Sequence, residues 1–421
     1  MNSVFIQRQC RNVAFLRYGE EERQLHAGND WDLAVRDPDH FARVAEDCFG
    51  EPLIHAKRSY VEQRFYEWGG LDALPVFEWN GWAYLERDRF WKKVTIHSDG
   101  IPRPCLAHDA FIAWFCGFLH GGNYNEKYDG LIRHAALAEQ EEFRVCLEWA
   151  FGKDWAEELL SLALAERAQD AVDLKRDLRK ALIWQSLTRE GILALSSVCQ
   201  HWLMELKNHL YPPFPWIAFL GPDGSGKSTV IDGVREELGK SRILLRHVHW
   251  RPTVRTPIPE EQGPPVTDPH GRPKRNVILS LAALGLLFIR WWLGYLLRLL
   301  HLRAKIHVVL SDRYYLDLLV DQHRYLYGGP VWLAKWLFRF FPKPELTFVL
   351  LTDADTILAR KAEVEKPELE RQLEAYRKLA HSLGEKAVVI DVSHSAETVI
   401  GEVMEKVNEF FRARTNQRKK G

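Results

Sequence analysis

Nine consecutive residues carry the clearest chemistry in the sequence. Gly221-Pro-Asp-Gly-Ser-Gly-Lys-Ser-Thr229 fits the spacing Gly-x-x-x-x-Gly-Lys-Ser/Thr and lies between an apolar run and an amphipathic helical run. Gly221, Gly224 and Gly226 let the backbone curl with its N–H groups inward, and Asp223, Ser225 and Thr229 complete the loop that would hold ATP. Lys227 would neutralise the β- and γ-phosphate oxygens, and Ser228 would ligate Mg²⁺. The N-terminus of the following helix adds a partial positive charge. ATP and Mg²⁺ are therefore the expected cofactors.

Two further acidic clusters have a chemical reading. Val308-Val-Leu-Ser-Asp312 is an apolar strand ending in an acid, which would stand beside the magnesium water shell, with Arg313 next to it. Near the N-terminus, Asp30 and Asp32 are two residues apart on a strand, so both carboxylates project to one face while Trp31 and Leu33 face a core. A third acid on a neighbouring strand would complete a two-metal site. Asp72 is the candidate, and Glu78 a weaker one.

The elements that must position these groups fall into three segments. Residues 1–105 hold short strand-like runs around a helix starting after Pro38, an α+β module. Residues 106–210 show helical spacing throughout, as in Phe143, Cys146, Leu147 and Ala150, a helical subdomain. Tyr211-Pro-Pro-Phe-Pro215 then marks a boundary. In 211–421 strands at 216–220, 243–247, 306–310, 346–351 and 387–390 alternate with helices, an α/β order that predicts a parallel sheet covered on both faces. The stretch 251–274 holds seven prolines and is expected to be a loop.

The loop sequence, followed by Asp312-Arg313-Tyr314 after the third strand, resembles the thymidylate kinase family over about 216–412. That resemblance implies a P-loop kinase domain with a five-stranded parallel sheet. It also implies that Arg313 and Arg251 hold an acceptor phosphate, and that Gln322 reads the acceptor base. Arg360 and Lys361, on a helix running from Asp353 to Ala380 with Arg371, would close over the transferring phosphoryl group. In Asp321-Gln322 an acid replaces the tyrosine common in that family, so thymidylate leads a wider set of acceptors: another nucleotide, a nucleoside, or a phosphorylated sugar or lipid precursor. Asn29-Asp-Trp-Asp-Leu33, with Leu71-Asp72 and Trp79-Asn-Gly-Trp82, resembles the nucleotidyltransferase superfamily, although Arg17-Tyr18 stands where the usual glycine pair would be.

Bulk properties bound these readings. The 57 Lys and Arg balance the 57 Asp and Glu among 421 residues, which argues against a nucleic-acid-binding surface. Six scattered cysteines without metal spacing suit reduced thiols in a cytoplasmic protein. The basic tail Arg412, Arg414, Arg418, Lys419 and Lys420 is expected to be a frayed, solvated end. Residues 277–302 are apolar almost all round a helix and long enough to cross a bilayer. Arg290 and the surrounding α/β order point instead to a buried or partly surface-bound helix, with weak membrane association the alternative. His108, His120 and His134 sit in helical stretches and receive no chemical role. The activity expected is an ATP-dependent nucleotide kinase. The alternatives are an NTP-binding regulatory switch and a bifunctional enzyme of surface-polysaccharide or lipid-precursor assembly. Oligomeric state is left open.

Overall fold

A computed structural model describes residues 2–17, 30–122, 124–250, 273–361 and 364–420. The chain forms two compact units, Met1–Lys207 and Asn208–Gly421.

In the first unit, helix α1 (Asn2–Gln9) precedes strands β1 (Val13–Phe15) and β2 (Asp30–Val35), helix α2 (Pro38–Phe49), and strands β3 (Ile54–Lys57), β4 (Glu62–Tyr66) and β5 (Gly69–Leu74). Asp37 caps α2 by accepting from the Asp39 and His40 N–H groups, with Pro38 at the first helical position, as its sequence suggests. The strands form one mixed sheet in the order β1-β2-β5-β4-β3, in which only β2 and β5 run parallel.

Two small ribbons follow, β6 (Glu78–Trp79) with β7 (Trp82–Ala83), and β8 (Thr95–Ile96) with β9 (Pro102–Arg103) after helix α3 (Arg87–Lys92). The remaining helices are α4 (Leu106–Leu119), α5 (Asp129–Ala138), α6 (Gln140–Phe151), α7 (Lys153–Leu164), α8 (Lys175–Glu190) and α9 (Ala194–Leu210).

Alternation along β2 sends Trp31, Leu33 and Val35 into a small core with Phe5, Phe41 and Val44, on the side of α1 and α2. The opposite face, through Ala14, Ala34 and Leu74, joins one continuous core with Phe111, Phe115, Phe143 and Leu182 of the helices. Sheet and helices from Val13 to Glu190 therefore share their burial. The expected break near residue 105 is not a gap in packing.

The second unit opens with β10 (Trp216–Leu220), α10 (Lys227–Lys240) and β11 (Leu244–His249). Next comes one long helix made of α11 (Val277–Gly294), a π turn (Tyr295–Leu299) and α12 (Leu300–Lys305). Then follow β12 (His307–Asp312), α13 (Leu316–Val320), α14 (Val331–Leu337), β13 (Leu346–Leu351), α15 (Ala354–Arg360), α16 (Lys366–Leu383), β14 (Ala387–Asp391) and α17 (Ala396–Lys420). The five strands are all parallel, in the order β11-β12-β10-β13-β14. β10 and β13 are buried along their whole length, as continuous apolar runs in a doubly covered sheet should be.

Two details differ from expectation, the 353–380 helix and the basic tail, while the long apolar helix is partly surface-bound as expected. The helix read from Asp353 to Ala380 is two helices, α15 ending at Arg360 and α16 starting at Lys366, with Asp353 capping α15 and Pro367 entering at the start of α16. The long apolar helix is buried on one side only: Ser280, Leu284, Leu287, Trp291 and Gly294, then Leu299 and Arg303, face inward. The step from 294 to 299 is one residue too long for an α-helix, and the wide π turn at that point keeps the inward face aligned. The basic tail is not frayed. It is the last part of α17, and Arg414 donates to the carbonyls of Pro213 (2.5 Å) and Pro212 (2.6 Å) and pairs with Glu345.

Candidate functional site

The chain order of the parallel sheet reverses direction at β10, and ligands of open α/β sheets sit at the carboxyl ends of the strands beside such a reversal. β10 runs directly into the 221–229 loop. Gly221 has φ +146°, and a Cβ there would lie 2.5 Å from the Leu350 carbonyl oxygen of β13, so only glycine lets the loop start against that strand. At the other end Gly226 takes a left-handed φ of +79° as the residue that caps α10. A Cβ on Gly226 would meet nothing within 4 Å, so glycine is needed there for the backbone angle and not for space.

Lys227 is buried and folds back into the loop, donating to the carbonyls of Gly221 (2.9 Å) and Pro222 (2.7 Å), with the buried Ser225 hydroxyl at 3.5 Å. Burial, with Arg313 adding to it, lowers its pKa to about 8. Ser228 and Thr229 are exposed at the start of α10.

Asp312 ends β12, the neighbour of β10, in register with Phe219. Its Oδ2 lies 3.3 Å from His249 Nδ1 on β11, while its Oδ1 is buried with no hydrogen-bond partner among the described residues. Burial raises its pKa, but His249, Lys227 and Arg313 outweigh that and hold the carboxyl below the ordinary aspartate range. A buried ionised oxygen without a partner, on the strand beside a loop that carries an exposed serine hydroxyl, suits a divalent cation with oxygen ligands. Mg²⁺ therefore fits Asp312 and Ser228.

Arg313 takes a positive φ of 71° and donates its backbone N–H to the Phe219 carbonyl at 3.0 Å, which turns its side chain into a cleft of about 430 Å³. There it pairs with Asp223 of the loop, whose other oxygen pairs with Arg324. Burial works against the Arg313 charge, but Tyr325, Asp317 and Asp223 outweigh it and keep the guanidinium protonated. Asp317 is buried, accepts from the Tyr376 hydroxyl (2.6 Å) and the Tyr314 N–H (2.8 Å), and has its pKa raised, by burial above all. Gln372 reaches Asp321 at 3.2 Å.

The structure thus brings together Gly221, Asp223, Lys227, Asp312 and Arg313. The loop contributes only Pro222 and Asp223 to the wall of the cleft. Gly221, Gly224, Ser225, Gly226, Lys227, Ser228 and Thr229 are not among its lining residues, because the Lys227 ammonium is turned back onto the loop carbonyls. Lys361 also lines the cleft, and a Cβ on Gly224 would lie 3.1 Å from its own Cβ. Arg360 instead donates to the Val392 carbonyl at 2.9 Å. Gln322 is not among the cleft-lining residues, because its amide donates to the Leu319 carbonyl at 2.6 Å. Arg251 lies outside the described residues. Reasoning from sequence missed Asp317, Arg324, Tyr325, Gln372 and Tyr376. A signal for two of them existed: Gln372 and Tyr376 occupy the inward i, i+3, i+7 positions of α16 with Leu369, where a core helix would carry apolar residues.

In the first unit, Asp32 and Asp72 stand directly opposite each other on the parallel strands β2 and β5. Asp30 pairs with Gly70 in the same ladder, and its side chain lies outside the described part. The pair is not open. Arg17 forms an ion pair with Asp32, and Gln63 donates to Asp72 at 3.1 Å. The Arg17 N–H donates to Asp109 at 2.6 Å, and burial raises the Asp109 pKa to about 6. A guanidinium already neutralises the carboxylate that a metal would need, so this arrangement does not fit a two-metal site. Glu78 lies apart on β6, outside this sheet.

His108, Glu142 and Cys146 come within 4.8 Å of one another through their ligand-type atoms. Glu142, however, is held by Arg89 at 2.6 and 2.7 Å, and burial raises the Cys146 thiol pKa well out of the range where a thiolate forms. That cluster is a polar knot joining α3, α4 and α6.

No family model matches the sequence. Among solved structures, a thymidylate kinase from Candida albicans aligns with 47% of this chain and 93% of its own, at 16% identity and a TM-score of 0.34.

Proposed function

We propose that residues 211–421 are an ATP-dependent phosphotransferase of thymidylate kinase type, with dTMP the first acceptor to test. The observation that carries this reading is the buried Oδ1 of Asp312, unpartnered among the described residues, at the end of the strand beside β10, next to a complete phosphate-binding loop. Mg²⁺ held by Ser228 and Asp312 would supply charge neutralisation on the ATP phosphates.

This chain's own residues do the rest. Loop N–H groups and Lys227 hold the phosphates, and Lys227 exchanges its two carbonyl partners for phosphate oxygens when ATP enters. Arg313 and Arg324, now sharing Asp223, present two cations to the acceptor phosphate. Lys361 closes from the side of α15. The barrier falls because these charges are positioned before reaction, in a site walled by buried Tyr376 and Leu369.

For the first unit we propose a nucleotidyltransferase-like module in which Arg17, not a metal, neutralises Asp32. Tight Mn²⁺ binding by the full-length protein that disappears in Asp32→Asn would overturn this.

The deciding experiment for the second unit is ATP consumption by full-length protein with a panel of acceptors, beside Lys227→Ala. Turnover of dTMP that is lost in Lys227→Ala supports the proposal. Turnover of a phosphorylated sugar or lipid precursor but not dTMP replaces the acceptor class. ATP binding without turnover of any acceptor would favour the regulatory switch.

A further inference from the structure

The helix Val277–Lys305 is long and apolar enough to cross a membrane, yet it cannot do so in this fold. Its inner face is part of the α/β core, where Trp291 stacks on Trp216 at 5.9 Å and Arg303 is buried against the Phe214 carbonyl and Glu345. Its outer face is apolar and exposed from Val277 to Leu297: Ile278 is 79% accessible, Leu286 48%, Ile289 55% and Leu297 63%. These positions recur at helical spacing on one side, a stripe of about 30 Å.

A second exposed stripe lies beside it. Trp332, Trp336 and Phe340 are four residues apart and point outward together, and Trp336 packs edge-on to Phe340 at 5.1 Å. The two elements are fastened to each other, because Trp292 Nε1 donates to the Phe340 carbonyl at 3.0 Å and Phe288 packs on Phe341.

Charge identifies the occupant. From Pro273 to Ser311 there are five cations besides the buried Arg303 and no carboxylate, and from Val331 to Pro344 there are Lys335, Arg339 and Lys343 and again no carboxylate. The chain as a whole is balanced, so these two adjoining surfaces are one-signed against the average. Lys274, Arg275, Arg290, Lys335 and Arg339 are exposed. Apolar side chains for the acyl boundary, tryptophans at its edge and cations without acids describe a surface that lies in the plane of an anionic bilayer.

We propose that the second unit docks on membranes rich in anionic lipid through helix 277–305 and the 331–343 segment, without spanning them. This is independent of the kinase reading. A second copy of this chain would have to meet the cations with cations of its own.

The test is co-sedimentation of full-length protein with phosphatidylcholine vesicles, with and without phosphatidylserine. Binding is expected to the anionic vesicles and to weaken with salt. Ile278→Glu with Leu286→Glu and Ile289→Glu should abolish it, and Arg290→Gln with Lys335→Gln and Arg339→Gln should reduce the partition coefficient by about a hundredfold. All six residues are exposed, and an unchanged unfolding midpoint verifies that each variant is folded. Equal binding with and without phosphatidylserine, or unchanged binding by the glutamate variant, would each overturn the proposal. So would an absence of vesicle binding, and a dimer that the glutamate variant dissociates would then identify a second copy as the occupant.

Discussion

Lys227 donates its ammonium to the Pro222 carbonyl at 2.7 Å, so the cation that should meet ATP is stored inside its own loop. Its folded pKa of about 8 lies below the ordinary lysine value of 10.5, so free protein loses this proton as pH rises through 8, whereas bound phosphate would retain it. ATP affinity should therefore fall above pH 8, and binding there should take up a proton. Calorimetry in buffers of different ionisation heat measures that uptake, and Lys227→Ala should remove it and lower turnover by about 100-fold or more.

Asp312→Asn keeps the size of the side chain and removes its charge. If Asp312 Oδ1 awaits a cation, the variant should need a higher Mg²⁺ concentration for half-maximal rate and lose about 10²-fold in kcat, while metal-free nucleotide binding is unchanged or tighter. A titration of rate against Mg²⁺ checks this.

The resemblance motifs were legible because each rests on local spacing: the 221–229 loop, the acid ending β12 and the run of apolar strands all lie where the sequence puts them. What was not legible depends on distant contacts. Asp32 and Asp72 are in register, as expected, but the Arg17 that closes the pair comes from a residue with φ +57° whose position no periodicity encodes. Gln322 is drawn to a carbonyl three residues back, an outcome set by the turn after α13. The one-sided burial of helix 277–305 is hidden because both of its faces are written in the same apolar residues, and only the partner elements distinguish them.

Asp109 gives a pH test of the first unit. Its folded pKa of about 6 lies above the unfolded value of 3.8, so the folded state binds the extra proton between these limits. Stability from this group is present at low pH and declines as pH rises from about 4 to 6. Asp109→Asn should flatten that slope, removing about 3 kcal/mol of pH-dependent loss across the window, read from urea midpoints.

Gly81 supplies the steric test. Asn80 and Gly81 both have positive φ, 50° and 86°, the two-residue turn that joins β6 to β7. A Cβ on Gly81 would stand 2.5 Å from the Val198 Cα of α9. Gly81→Ala should cost about 2 kcal/mol or more and lower the unfolding transition of the first unit, with little effect on nucleotide binding by the second.

The grip of Arg414 on Pro212, Pro213 and Glu345 bears on how the protein is made. β10 is the first strand of its sheet to be synthesised, but it lies between β12 and β13, and the segment leading into it is fastened by α17, which is made last of these elements. A nascent chain therefore carries a fully apolar strand and a finished phosphate-binding loop for a long interval with nothing to enclose them. The first unit, which ends within α9 at Lys207, can close while the second is still being translated, and a chaperone that shields a naked strand would act on the second.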